Sequence, residues 1–422
     1  MKKNNKKIKR LVFASIATLM ICFVGTYAWF VGMKTVNVSR FDIDIATTEG
    51  LFLSMDGQNW SYNLDVKNAT AYAGNTNTWA TDGLIPMSTI GDMDSTVSRM
   101  ILFEKGSLTT TRGGYRLIAS RVHNYVQSNE GKGYVAFDLF IKNLSGTEYY
   151  VDNNELNEEA IYLTTNSSVR VSDAGGIANT GIENSVRVAF TQIGRVIGTT
   201  GSDQVDDITG ITCADSNENG HAQVTGICRN AQIWEPNDTA HVQNAINWYD
   251  TSCSQRLSTG SNLTLAASYD RSEDCGTVAN GTAVPTYAVS RELLVADNVD
   301  VYDGASFNTY TATTADYATY RTAVDADATA KSDYRLVSYP YFTDTMKDLT
   351  GTNRPTFMTL APNSITKLRV YIYIEGQDVD NYDFASLGKQ ISINFGFTKE
   401  RYTETDVNYV GPSTNITPTG SN

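Results

Sequence analysis

Apolar and polar residues alternate with a period of two in five separate stretches of this chain. Phe41, Ile43 and Ile45 alternate with Asp42 and Asp44, and Val135, Phe137, Leu139 and Ile141 alternate with Ala136, Asp138, Phe140 and Lys142. Val186, Val188 and Phe190 flank Arg187 and Ala189; Leu368, Val370, Ile372 and Ile374 are separated by Arg369, Tyr371 and Tyr373. Ile391, Ile393, Phe395 and Phe397 form the last run, interrupted by Ser392, Asn394 and Gly396. Side chains on a strand point to opposite faces in turn, so each run predicts a strand with one buried face. Such strands need a second layer to cover them, and the runs extend from near the start of the chain nearly to its end. The first and last strands are therefore expected in one sheet system. The fold class expected is mainly β, an antiparallel β-sandwich of jelly-roll kind.

The alternation fails between residues 199 and 283, which are rich in Gly, Asn, Asp, Ser and Thr. This stretch is expected to be an insertion dividing the sandwich into 29–198 and 284–401. One short helix is predicted between Trp234 and Trp248, where Ala240, Val242, Ala245 and Ile246 recur at helical spacing. A second is predicted over 315–330, around Tyr317, Tyr320 and Val324. Residues 402–422 are polar, contain Pro412 and Pro418, and read as a disordered tail.

The N-terminus carries a different pattern. Lys2, Lys3, Lys6, Lys7, Lys9 and Arg10 precede an apolar run from Leu11 to Val24, followed by Gly25-Thr26-Tyr27-Ala28-Trp29-Phe30. Basic, apolar and small residues in that order form a secretory export signal. Thr26 and Ala28 are small enough for a signal peptidase, so cleavage between Ala28 and Trp29 is expected and 1–28 is the leader. The competing reading is an uncleaved anchor, because apolar character continues through Val31 and Met33 and reaches roughly the 20 residues of a spanning helix. Membrane contact is expected only through this segment.

The net charge is −13, and the leader holds six of the positive charges, so the rest of the chain is more acidic still. Nucleic acid is thereby a poor partner. Outside the leader stand Cys213, Cys228, Cys253 and Cys275. Their even number in one stretch of an exported chain favours two disulfides with three pairings open; sequential pairing closes the shortest loops and is the one expected. No C-x-x-C or neighbouring Cys and His spacing supports zinc.

Catalytic motifs are missing. His123, His221 and His241 belong to no H-E-x-x-H, and no G-x-S-x-G occurs. No enzyme activity and no cofactor are expected. Asp215, Asn217, Asn219 and Gly220 match the first half of a calcium loop, but position 12 is Gly226 in place of the bidentate glutamate, and a plain Asn/Asp turn is the preferred reading. Glu375, Asp378, Asp380 and Asp383 form a second acidic cluster, read as a solvated turn in preference to a metal site. Carboxylate clusters together with 24 tyrosines, and an adhesin role that an uncleaved leader would favour, leave as the alternative function a carbohydrate-binding or adhesin-type surface protein anchored by its N-terminal helix.

The junction Gly25-Thr26-Tyr27-Ala28-Trp29-Phe30, running into Phe41-Asp42-Ile43-Asp44-Ile45, resembles the N-terminal region of the TasA and camelysin family of bacterial surface and biofilm-matrix proteins. Gly133 to Leu139 and Leu368 to Asp378 look like strands of exported proteins of Gram-positive bacteria with the same leader. The resemblance implies processing by a signal peptidase of the SipW type and a noncatalytic extracellular matrix protein that partners itself or other matrix proteins. It also implies fibre assembly by donation of an N-terminal strand to the next subunit's sheet edge. The residues expected to carry that step are Trp29, Phe30, Val36, Val38, Phe41, Ile43 and Ile45. This chain departs from the family in length and in its cysteine-bearing stretch, and no zinc motif of the family's reported metalloproteases can be matched.

Overall fold

The computed structural model describes residues 38–47, 50–66, 84–111, 114–121, 130, 133–145, 149, 151–171, 180–198, 205–215, 224–258, 278–284, 286–289, 294–296, 299–301, 336–382 and 389–399. The leader with Ala28 and Trp29, the predicted helix over 315–330 and the tail 402–422 lie outside them.

All five alternating runs are strands of two large sheets. The first sheet is ordered β20 (Met358–Leu360), β10 (Glu159–Leu163), β22 (Lys389–Thr398), β1 (Val38–Thr47) and β3 (Asn63–Asp65), with β11 (Ser168–Val171) also on β22. The second is ordered β19 (Phe342–Thr343), β14 (Gln232–Glu235), β12 (Val186–Ile197), β21 (Ser364–Glu375), β4 (Pro86–Ser88), β7 (Phe103–Thr111) and β8 (Gly114–Arg121). β9 (Val135–Asn143) joins it on β21, β2 (Leu51–Ser54) on β9, and β13 (Thr225–Gly226) on β12. Three small ribbons pair β5 (Met93–Asp94) with β6 (Arg99–Met100), β15 (Tyr287–Val289) with β18 (Leu336–Ser338), and β16 (Leu294–Ala296) with β17 (Val299–Val301). Pairing is mostly antiparallel; β1 with β22, β14 with β19 and β21 with β4 run parallel.

The apolar residues of both sheets meet in one core. Ile43, Ile45, Ile391, Ile393, Phe395 and Phe397 of the first sheet share it with Phe137 and Leu139 of β9 and with Leu368, Val370 and Ile372 of β21 in the second. Phe190 of β12 meets Phe395 edge-on at 5.1 Å and Phe397 at 5.6 Å, a geometry that aromatic quadrupoles favour.

The polar alternates of the second sheet are also buried, which departs from the expected single buried face. β21 is buried along its whole length. Met87, Met100, Leu102, Ala288 and Tyr341 pack over its outer face against Tyr371 and Tyr373. Farther along, α1 (Val205–Gly210) brings Ile208, with Ile211 just beyond it, onto Phe140 and Ile365. A sheet covered on both sides obliges Arg187, Asp138, Lys367, Arg369 and Glu375 to find polar partners in the interior, because an unpaired buried charge is strongly disfavoured.

Two further expectations change. Trp234 lies in β14, opposite Val188 of β12, and the helix α2 (Gln243–Ser258) starts nine residues later. Pro236 and the left-handed Asn237 (φ 60°) end the strand in a turn, while Ala245 and Ile246 are buried as the spacing implied. Within 199–283, β13 and β14 pair with β12, so part of the expected insertion belongs to the second sheet. Gly194 marks a register shift of β12 there: a Cβ on it would lie 2.7 Å from the Thr225 carbonyl oxygen, so only glycine permits β13 to approach. The short α3 (Asp344–Lys347) is capped by Thr343, whose Oγ1 accepts from the Met346 amide.

Candidate functional site

The seat of β1 combines sequence position with burial. β1 runs parallel to β22, with Phe41 opposite Ile391, Ile43 opposite Ile393 and Ile45 opposite Phe395. Ile43 and Ile45 are 2% and 1% exposed, filling the core between the sheets. β22 is held on its other side by β11 and β10. The outer edge of β1 meets β3 only over Asp44, Ile45 and Ala46, so among the described residues its first half has a strand on one side alone. Three residues separate β1 from β2, which belongs to the other sheet. Val38, Phe41, Ile43 and Ile45 thus stand on this strand; Trp29, Phe30 and Val36 lie outside the described residues.

Cys213 and Cys228 form a disulfide, one half of the expected sequential pairing. It rests against Gly226, where a Cβ would come within 2.4 Å of the Cys213 carbonyl oxygen. The side chain of Cys253 and all of Cys275 are outside the described residues, as are Asn217 and Asn219. The Asp215 carboxylate accepts from the Thr212 amide at 2.6 Å and from its hydroxyl at 3.1 Å, closing a polar turn. Among the described residues no group of three or more His, Cys, Asp and Glu is placed to hold a metal ion.

The acidic cluster after β21 is buried, which corrects the solvated turn expected for it: Glu375 and Asp380 are 0% exposed and Asp378 6%. Asp383 is outside the described residues. The turn 376–382 folds inward because positive and donor groups await it. Arg187 of β12 donates to Glu235, to Asp378 Oδ2 at 2.5 Å and to Thr286 Oγ1 at 3.0 Å. Asp378 Oδ1 accepts from the Ser185 hydroxyl and from the Asp380 amide. Burial lowers a guanidinium pKa, but Glu235 and Asp378 outweigh it and hold Arg187 charged.

Among the described residues no cation forms an ion pair with Glu375, and Arg187 acts on it only at longer range. Burial lifts its carboxyl to about 8 against the opposing pull of Arg187 and of donors from Ser88, Gln377 and Tyr341. Geometry agrees: the Tyr341 hydroxyl has one proton and two oxygen neighbours, Glu375 Oε2 at 3.1 Å and Thr89 O at 3.3 Å, so a protonated Glu375 satisfies both contacts. On the same face Arg369 grips Asp138 through two bonds of 2.6 and 3.1 Å and Glu130 through one of 3.0 Å. The signal for this network in the sequence was the row Lys367, Arg369, Tyr371, Tyr373, Glu375 inside an apolar strand. No family model, no curated protein and no solved structure matches this chain.

Proposed function

We propose that this chain is an exported, noncatalytic surface or matrix protein of the TasA-like kind, a jelly-roll sandwich that assembles by donating its first strand to a neighbour. The seat of β1 carries the reading. Its apolar residues complete the core between the sheets, it lies at the N-terminal end of the described chain, and only a short connection joins it to the rest. A strand of that kind fits the same groove from a second copy, with the same parallel register on β22 and backbone bonds supplying the affinity. A donor and acceptor surface on every copy makes a heterologous contact, which extends into fibres when it does not close. The leader sequence supplies the export step, with cleavage after Ala28 leaving Trp29 to Asn37 ahead of the donated strand.

The test is truncation with complementation. Mature protein starting at Trp29 is expected to form fibres in electron micrographs, and protein starting at Leu51 to remain unassembled. A synthetic peptide of residues 38–47 is expected to bind the truncated chain; indifference of assembly to the truncation contradicts the reading.

One observation favours the carbohydrate-binding alternative. Tyr62, 45% exposed, packs on Phe52 at 4.7 Å, and Lys142 lies 5.2 Å over the ring of nearby Trp60. Partly exposed rings beside a cation suit the apolar face and hydroxyls of a sugar. A glycan array that responds to the native chain but not to Trp60→Ala supports it.

A further inference from the structure

His241 stands just ahead of α2 with both ring nitrogens engaged. Nδ1 is 2.7 Å from Asp380 Oδ2 and Nε2 is 3.0 Å from the Thr282 carbonyl oxygen. A carbonyl oxygen only accepts, and so does an ionised carboxylate. A neutral imidazole has one N–H and would turn a bare nitrogen toward one of them, whereas an imidazolium donates to both. Asp380 is set up as the anion: its other oxygen accepts from the Val242 amide at 3.2 Å.

These contacts join three segments. The His241 amide donates to Asn280 Oδ1 at 3.1 Å, and the Gly281 amide donates to the Thr239 carbonyl at 2.7 Å. Beneath them Ile246 of α2, Val278 and Val379 make a small apolar cluster, with Tyr249 and Val284 at its margin, separate from the core between the sheets. The segment 278–284 is thus fastened to α2 and to the turn 376–382 by few apolar contacts and by polar bonds converging on one ring.

We propose that His241 is a protonation latch, holding 278–284 against the start of α2 and the turn 376–382 when charged and releasing that segment when neutral, while the two-sheet core, which includes Ala245 of α2, stays folded. The surroundings favour the cation. Asp378 and Asp380 face it from the turn, where Tyr382 also titrates; Glu375 closes β21, Glu235 closes β14, Asp238 lies in the preceding turn and Glu183 in the short 3-10 turn before β12. Arg187 is the opposing cation, and it is committed to Glu235 and Asp378. Segment 278–284 brings no titratable side chain. Burial alone would lower the His241 pKa, but the bond and charge of Asp380, the charge of Asp378 and the Thr282 carbonyl raise it above the ordinary value. A raised histidine contributes stability that is complete below the unfolded pKa near 6.5 and is lost as pH rises through the folded value.

The experiment is long-range 1H–15N correlation of the histidine rings in the full mature chain from pH 5 to 9, with amide hydrogen exchange at Gly281 and His241. His241→Gln assigns the signal; should it fail to fold, His123→Gln and His221→Gln assign it by elimination. The expected result is an imidazolium signature for His241 persisting above pH 7. As it disappears, exchange at the two amides should rise about tenfold beyond the intrinsic pH effect, the scale of one lost charged hydrogen bond. Asp380→Asn should move both steps to lower pH together. A neutral His241 at pH 6, or protection that is unchanged through its titration, overturns the proposal.

Discussion

Glu375 shows how far a single buried residue shapes the behaviour of the whole fold. Its carboxyl, lifted to about 8 by burial, holds a proton in the folded protein at neutral pH, whereas in the unfolded chain it ionises near 4.5. The folded state then binds more protons, so stability falls as pH rises from about 4.5 through about 8. Thermal or urea unfolding should therefore show the protein losing on the order of a few kcal/mol between pH 5 and 9. Glu375→Gln keeps the hydrogen bonds without the titration, and most of that slope should vanish. Arg187 presents the opposite case, a fully buried cation with several anions around it. Arg187→Met strands Glu235 and Asp378 in the interior, and a loss of about 3–5 kcal/mol is expected in denaturant titration at pH 7.

Among the elements, β1 joins the architecture to the proposed function. Ile45→Ala removes buried methyl groups from the core between the sheets, and about 2–5 kcal/mol should be lost in urea unfolding of unassembled protein. The connection from Thr47 to Leu51 spans at most roughly 14 Å, so a strand donated to a neighbour requires the two bodies to abut. Short hinges favour exchange between copies and long ones favour closure within a chain. Inserting six Gly and Ser residues between Thr47 and Gly50 should shift the protein toward monomer in light scattering. The strands were legible because alternation survives wherever one face meets the core, and the first and last runs share a sheet as expected; that they pair directly and in parallel was not legible, since alternation carries no strand direction. The covered outer face was not legible: Arg369 and Glu375 look solvent-facing in a window of ten residues. Their partners Glu130, Asp138 and Tyr341 are distant in sequence. Trp234 misled for a similar reason, since its apolar neighbours fit a helix until Pro236 and Asn237 turn the chain.

At the scale of the whole molecule, two sheets share one core, and a second layer over the larger sheet hides a network of charges. The chain is acidic, and under the proposed function its first described strand is the one a second copy would receive. The most direct measurement uses two variants with one added cysteine each, Ile43→Cys on one mature chain and Ile393→Cys on another, since these positions oppose each other on β1 and β22. Refolded together under oxidising conditions, the two chains join through the added thiols only when β1 of one copy lies against β22 of another. Strand donation predicts a covalent dimer on a non-reducing gel, appearing as fibres form and missing when either variant is alone. Monomers throughout, with the chain carrying both substitutions closing only within itself, would contradict it.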